Sequence, residues 1–341
     1  MSFGNPHSAA KKGGKMRALS GIKPTGTLHL GNYFGAAQQF AAMQQKNYEG
    51  YYFIADYHTL NTLPDPAKLT ENTWNIVLDY LAFGLDPEKS VIFLQSLVPE
   101  VAELAFILGN YTPMGLMQRA HSYKEKTAKG ELINVGLFYY PLLMTADILL
   151  YKSNIVPVGK DQKQHVEIAR DIAEKFNLFY QKDLFVIPEP FIPESVAIVP
   201  GTDGQKMSKS YGNTIEMFAA DPVLKKQIMG IVTDSTPLEE PKDPEKCNVY
   251  NIYKLIVPAE KAKEMADKLS AGGYGYGHAK KELLSAVHEF FDPMRAKRAE
   301  LEKNMDYVRK VIAEGSAKAR ETAVETIKEV KKTVGLVGNI Y

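Results

Sequence analysis

The stretch Met16-Arg17-Ala18-Leu19-Ser20-Gly21-Ile22-Lys23-Pro24-Thr25-Gly26-Thr27-Leu28-His29-Leu30-Gly31-Asn32-Tyr33 carries a strand, a glycine-rich turn and a helix start in one run. Met16 to Leu19 have strand character, and the residues that follow the stretch, Phe34 to Gln45, are spaced as a helix. Glycines at 21, 26 and 31 let the backbone approach a ligand closely. A helix opening there offers free N–H groups and the positive end of its dipole, so the segment reads as a phosphate-binding turn, with His29 and Asn32 as its polar side chains. Its spacing is neither Gly-x-x-x-x-Gly-Lys-Ser/Thr nor Gly-x-Gly-x-x-Gly.

Outward from this unit the same alternation recurs. Tyr51 to Ala55 and Ser90 to Leu94 have strand character, and Pro66 to Phe83 between them carries apolar residues at helical spacing. Asn154 to Val158 and Val196 to Val199 are further strand candidates flanked by helical patterns. Strands alternating with helices predict an α/β fold, a doubly wound, Rossmann-like parallel sheet whose strand order the sequence does not give. From about Met217 the texture turns helical, in long charged stretches such as Ala279 to Ala313 and Ser316 to Val334, with a turn at Ala271 to Gly277. The expected division is a loose tail at 1–15, an α/β domain at 16–213 and a helical C-terminal domain at 214–341.

Bulk properties narrow the class. The 41 basic and 40 acidic side chains leave a net charge of +1, so contact with nucleic acid must come from a local patch. Cys247 is the single cysteine, which rules out an internal disulfide or a cysteine-based zinc or iron–sulfur site and fits a reducing, cytoplasmic setting. Met1 to Lys15 lacks the apolar core of a signal peptide. Val135 to Tyr151 is the most apolar stretch, but it falls short of the ~20 residues a membrane span needs, and Pro141 and Asp147 interrupt it. A helix buried against the sheet is expected, with Asp147 as an unexplained acid inside it.

A second motif, Gly201-Thr202-Asp203-Gly204-Gln205-Lys206-Met207-Ser208-Lys209-Ser210, lies at the junction of the two expected domains. Two lysines and two serines on a glycine-rich loop suit a clamp that stabilises charge developing on a polyphosphate. His29, His121 and His165 show no metal-ligand spacing, so no metal site is expected, and magnesium should arrive with ATP.

Together the two segments resemble the class I aminoacyl-tRNA synthetases, which carry a His-Ile-Gly-His signature and a Lys-Met-Ser-Lys-Ser loop. The loop matches letter for letter. His29-Leu30-Gly31-Asn32 departs from the general signature in a way typical of the tryptophanyl branch, which ends it in Gly-Asn. The resemblance to that bacterial branch runs from about Met16 through Ile54-Ala55-Asp56-Tyr57-His58, Phe138 to Tyr151, Val156 to His165 and Ile231-Val232-Thr233-Asp234-Ser235.

The resemblance implies a tryptophan–tRNA ligase: tryptophan and ATP give tryptophanyl-adenylate and pyrophosphate, and tryptophan then passes to the 3′ end of its tRNA. It assigns His29, Asn32, Lys206 and Lys209 to catalysis. ATP is expected at Lys23, Pro24, Thr25, Gly31, Asn32, Gly159, Lys160, Asp161, Ile198 and the loop Lys206, Met207, Ser208, Lys209 and Ser210. Tryptophan is expected at Asp147, Met144, Tyr140 and His58, with Asp147 accepting the indole N–H. Lys23, Lys160 and Leu19 stand where bacterial relatives often have Gln, Glu and Phe. The helical region is expected to read the anticodon, and the assembly to be a homodimer. Indole has one donor and no good acceptor, so a single carboxylate in an apolar pocket separates tryptophan from phenylalanine. A tyrosyl-tRNA synthetase, a synthetase-like binding protein without catalysis, and a small-molecule nucleotidyltransferase remain as alternatives.

Overall fold

The computed structural model describes residues 15–46, 48–120, 123–124, 127, 134–159, 162–192 and 199–337. The described residues form one five-stranded parallel sheet of β1 (Met16–Ile22), β2 (Tyr48–Ile54), β3 (Ser90–Leu94), β4 (Ile155–Pro157) and β5 (Glu189–Phe191). Spatial order is β3-β2-β1-β4-β5. The chain builds outward from β1 through β2 to β3, then returns to the other side of β1 for β4. That reversal opens a crevice between β1 and β4 at the strands' C-terminal ends, where such sheets bind ligands.

Helices cover the sheet. After β1 come α1 (Leu30–Asn32), a π-helical turn at Tyr33–Ala37 and α2 (Gln38–Gln44), so the single helix expected over Phe34 to Gln45 is locally widened at its start. Beyond β2 lie α3 (Asp56–Thr59) and α4 (Pro66–Ala82), which Asp65 caps by accepting the Lys68 N–H at 3.0 Å. After β3 come α5 (Glu100–Gly109), α6 (Met114–Gln118) and α7 (Val135–Leu150), and α8 (Lys163–Tyr180) follows β4. Asn134 caps α7 by accepting the Leu137 N–H at 2.8 Å, and Pro141 is accommodated inside it with the Thr145 hydroxyl donating to the Pro141 carbonyl. As expected, α7 is a core helix. No described helix is long and apolar enough to cross a membrane.

The fifth strand of the described residues falls outside the stretches expected as strands. Val196 to Ile198 lie outside the described residues, and Val199 belongs to no strand. The strand is instead Glu189–Phe191, short and interrupted by Pro190, whose missing N–H a sheet edge tolerates but which hides the strand from any periodicity.

The helical part comprises α9 (Asp221–Met229), α10 (Asn248–Tyr253), α11 (Ala259–Ala271), α12 (Tyr276–Glu302) and α13 (Met305–Val334). The turn at Ala271 to Gly277 is present, with Gly272 and Gly273 at φ of 78° and 73°. The final two helices part at Lys303-Asn304, not near Gly315, and Asn304 caps the second. Gly315 is therefore interior to α13, and its position has a packing cause. A Cβ there would lie 2.0 Å from the Ile92 carbonyl oxygen of β3. One residue on, the Ser316 hydroxyl accepts the Leu94 N–H at 3.4 Å. The last helix thus closes backbone to backbone on an edge strand that would otherwise expose its polar groups. It also enters both main apolar cores, Val308, Val311 and Ile312 belonging to the one that holds Leu28 and Leu30, and Ala319, Ala323, Ile327 and Val330 to the one that holds Leu19 and Val156.

Replacing an exposed helical glycine with alanine ordinarily stabilises by about 0.5–1 kcal/mol. Gly315→Ala should do the reverse, lowering stability by ~1–3 kcal/mol through overpacking against β3. Urea unfolding decides the sign, and a stabilised variant would refute this packing.

Candidate active site

A cavity of about 420 Å³ opens at the β1–β4 crevice. Leu19, Gly21 and Lys23 contribute from β1 and its turn, Phe53 and His58 from β2 and α3, Val156 from β4 and Gly159 from just beyond it. From α7 come Tyr140, Met144, Asp147 and Ile148. Gly21 cannot be larger, because a Cβ would meet the Phe53 ring at 2.6 Å.

Asp147 is 2% exposed, and its environment accounts for an acid inside an apolar helix. Its Oδ2 lies 2.8 Å from His58 Nε2. Gln95 Nε2 donates to both oxygens, at 2.8 Å and 3.0 Å. Burial raises the Asp147 pKa, while the bonds from His58 and Gln95 pull against it by favouring the carboxylate. The start of α3, two residues before His58, is tied to the turn after β3, because Asp56 accepts the backbone N–H of Ser96 and bonds its hydroxyl. Tyr140 bonds His165 Nε2 through its hydroxyl, and the Lys23 ammonium stands 5.7 Å over its ring.

Gln95 escaped the sequence reading. A polar residue directly after the strand Ser90 to Leu94 was its signal, and at 1% exposure it is more deeply buried than Leu94 or Ser96 on either side. Phe53 and Ile148 line the cavity too, but as apolar residues they look like ordinary core in a sequence.

At the other end the two motifs meet. Leu30 N–H donates to the Ile215 carbonyl at 2.9 Å and Met217 N–H to the Leu28 carbonyl at 3.2 Å, pairing the first motif with the segment after the second. Gly31 N–H points at Met207 Sδ, 3.3 Å away, and Met207 is buried. Asn32 accepts the His29 N–H at 3.2 Å, so its side chain braces the helix start. The second loop closes on Asn213, whose side chain accepts the Ser208 N–H and donates to Asp203 and the Lys206 carbonyl. Val232 N–H donates to the Thr202 carbonyl, so Ile231 to Ser235 buttresses the loop from outside. Ser208 accepts the Ser210 N–H, leaving Lys206, Lys209 and Ser210 exposed. The Lys209 ammonium comes within 3.5 Å of where a Gly26 Cβ would sit, which brings it over the first turn. Protein packed around that amine lowers its pKa, opposed by the charges of Asp79 and Glu216.

The expected site residues thus fall into two groups. Tyr140, Met144, Asp147 and His58 line the cavity with Lys23 and Gly159, while His29, Gly31, Asn32, Met207 and Lys209 form the junction of the two motifs. Pro24 is buried and Thr25 exposed in the intervening turn. Lys160, Asp161 and Ile198 lie outside the described residues. Among the described residues, no group of three or more His, Cys, Asp or Glu is placed to hold a metal ion.

A parallel sheet of this order, a lysine-bearing loop over a glycine turn and a small-molecule cavity between them define a nucleotide-dependent enzyme class. The family described as tRNA synthetases class I (W and Y) matches residues 11–292. The tryptophan–tRNA ligase of Fusobacterium nucleatum is 62% identical over 95% of this chain and 99% of its own. That of Rhodopirellula baltica is 50% identical over 94% and 100%. The structure of Campylobacter jejuni tryptophanyl-tRNA synthetase complexed with ADP and tryptophan superposes with a TM-score of 0.88 at 49% identity, covering 94% of this chain and all of that one. The chain belongs to the class I tRNA synthetases, and within them to the tryptophan–tRNA ligases.

Burial, reinforced by the Lys209 charge, lowers the His29 pKa from 6.5 to about 4, so the ring is neutral near neutrality. Its Nδ1 has no hydrogen-bond partner among the described residues. The unfolded chain takes up this proton near 6.5 and the folded one only near 4, so acidification through that window favours unfolding. The wild type should therefore lose on the order of 2–3 kcal/mol more than His29→Gln across it, as read by unfolding at a series of pH values. Equal losses would contradict a buried neutral His29.

Proposed function

We propose that tryptophan and ATP meet in this cavity, the indole at the Asp147 end and the triphosphate between the Gly26 turn and the Lys206–Ser210 loop. The observation that carries the reading is Asp147, the one carboxylate among the described residues of the cavity lining, fixed by His58 and Gln95 and set among the apolar Leu19, Phe53, Met144 and Ile148. It offers an indole N–H its acceptor, and phenylalanine would leave it unpaired. The ADP and tryptophan of the Campylobacter relative are ligands of this pair of chemistries.

The tryptophan carboxylate then attacks the α-phosphorus of ATP. A new O–P bond forms as the bond to pyrophosphate breaks, and the tRNA's terminal adenosine later takes the tryptophanyl group, releasing AMP. No side chain is needed as nucleophile. Positioning and charge stabilisation do the work, with Lys206 and Lys209 facing the departing pyrophosphate and His29 and Asn32 shaping the helix start beneath it. Pro24, Thr25, Gly31, Met207, Ser208 and Ser210 complete the phosphate surface, with Lys23 at its junction with the cavity. Gly159, Lys160, Asp161 and Ile198 take the nucleoside, Asp161 suiting the ribose hydroxyls. The phosphate end is furnished with lysines, hydroxyls and backbone amides, so magnesium enters with ATP as part of the substrate.

The tail at 1–15 stands outside this chemistry, 16–213 performs it, and 214–341 reads the anticodon of tRNA(Trp). The enzyme acts in the cytoplasm as a homodimer, for which the exposed apolar side chains Leu63, Phe106, Met114 and Val135 are suitable surface.

Lys209→Ala should slow tryptophan-dependent exchange of pyrophosphate into ATP by about 10²–10³ while leaving tryptophan affinity nearly unchanged. Unaltered exchange would remove the loop from catalysis. Asp147→Ala should erase the preference for tryptophan over phenylalanine, about tenfold or more, in the same assay. Full retained preference would place the indole elsewhere.

A further inference from the structure

Asp79 is a second buried acid, 1% exposed near the end of α4 and away from the cavity. Its Oδ1 accepts Arg298 Nε of α12 at 2.7 Å. The same guanidinium donates to Asn75 Oδ1 at 2.8 Å, pairs with Glu302, and lies 5.3 Å over the Phe218 ring. Phe218 directly follows Met217, the residue whose N–H holds the Leu28 carbonyl. Three residues up the helix, Arg295 donates to the Ala219 carbonyl and pairs with Asp221 at 2.7 Å, gripping the same segment again. The first motif and the segment after the lysine loop are thus fastened to each other and, through Arg298, to a carboxylate with no other evident task.

We propose that Asp79 and Arg298 are a positioning pair for the pyrophosphate side of the reaction: locked together, they hold the Leu28–Met217 pairing, and with it the Gly26 turn over which Lys209 sits. The proposal rests on the assignment of Lys209 to the departing pyrophosphate. Electrostatics agree with the geometry. Asp79 is pushed up to about 6 by burial, against the pull of Arg298, the Leu28 backbone and Lys209. Unlike a surface pair, this one is desolvated, so loss of one charge is felt by the groups around it. Asp79 touches no substrate and acts through the lysine.

A double-mutant cycle tests this, with Asp79→Asn, Lys209→Ala and their combination assayed for pyrophosphate exchange, tryptophan affinity and thermal unfolding. Asp79→Asn should lower kcat about tenfold, within the range of coupling between residues of one network, with tryptophan affinity retained. In the Lys209→Ala background the same change should cost little more. A full rate in folded Asp79→Asn, or losses that simply multiply in the double variant, would overturn the pair's role and leave the assignment of Lys209 standing. Unaltered exchange in Lys209→Ala alone would overturn that assignment and the pairing with it. Should Asp79→Asn fail to fold, Asp79→Asn with Arg298→Gln removes both buried charges and is judged by the same criteria.

Discussion

A carboxylate inside an apolar helix is unfavourable unless its oxygens are satisfied, and the placement of α7, α3 and the end of β3 follows from satisfying Asp147. His58 and Gln95 reach it from two different strand ends, so the helix can sit in one orientation against the sheet. That orientation turns Tyr140 and Met144 toward the β1–β4 crevice. Among the apolar side chains of Leu19, Phe53 and Ile148, the acid offers a fixed acceptor to a hydrogen-bond donor entering the cavity.

The phosphate end is organised on a different principle. It relies on backbone pairing between residues far apart in sequence, Leu28 to Leu30 with Ile215 to Met217, with the buried Asp79–Arg298 pair behind it. Met207 seals the junction from the lysine loop. Its lysines stay exposed, as they must if they are to follow a polyphosphate through a change of geometry. A carboxylate fixed at Asp147 and exposed lysines at 206 and 209 thus stand apart from each other, with Lys23 in the lining of the cavity.

Much of this was legible in the sequence where chemistry and local pattern coincide. The strand-turn-helix of Met16 to Gln45, the helix of Pro66 to Phe83 and the core helix over Val135 to Tyr151 announced themselves by periodicity and breakers. Both motifs were visible as residue types, and Asp147 as an incongruous acid. Gln95 was not visible, because its role arises from a contact across 52 residues with Asp147. The strand at Glu189–Phe191 escaped because edge pairing, not propensity, makes it a strand. Gly315 fell between the two helical stretches read from the sequence, whereas it lies inside one helix and close approach to β3 is what selects glycine there. Each miss is a tertiary override of a local rule.

The central claim is that this crevice activates tryptophan. Exchange of labelled pyrophosphate into ATP, measured separately with each of the twenty amino acids, tests it most directly. Tryptophan alone should support rapid exchange. Exchange supported equally by tyrosine or phenylalanine, or by no amino acid at all, would contradict the account.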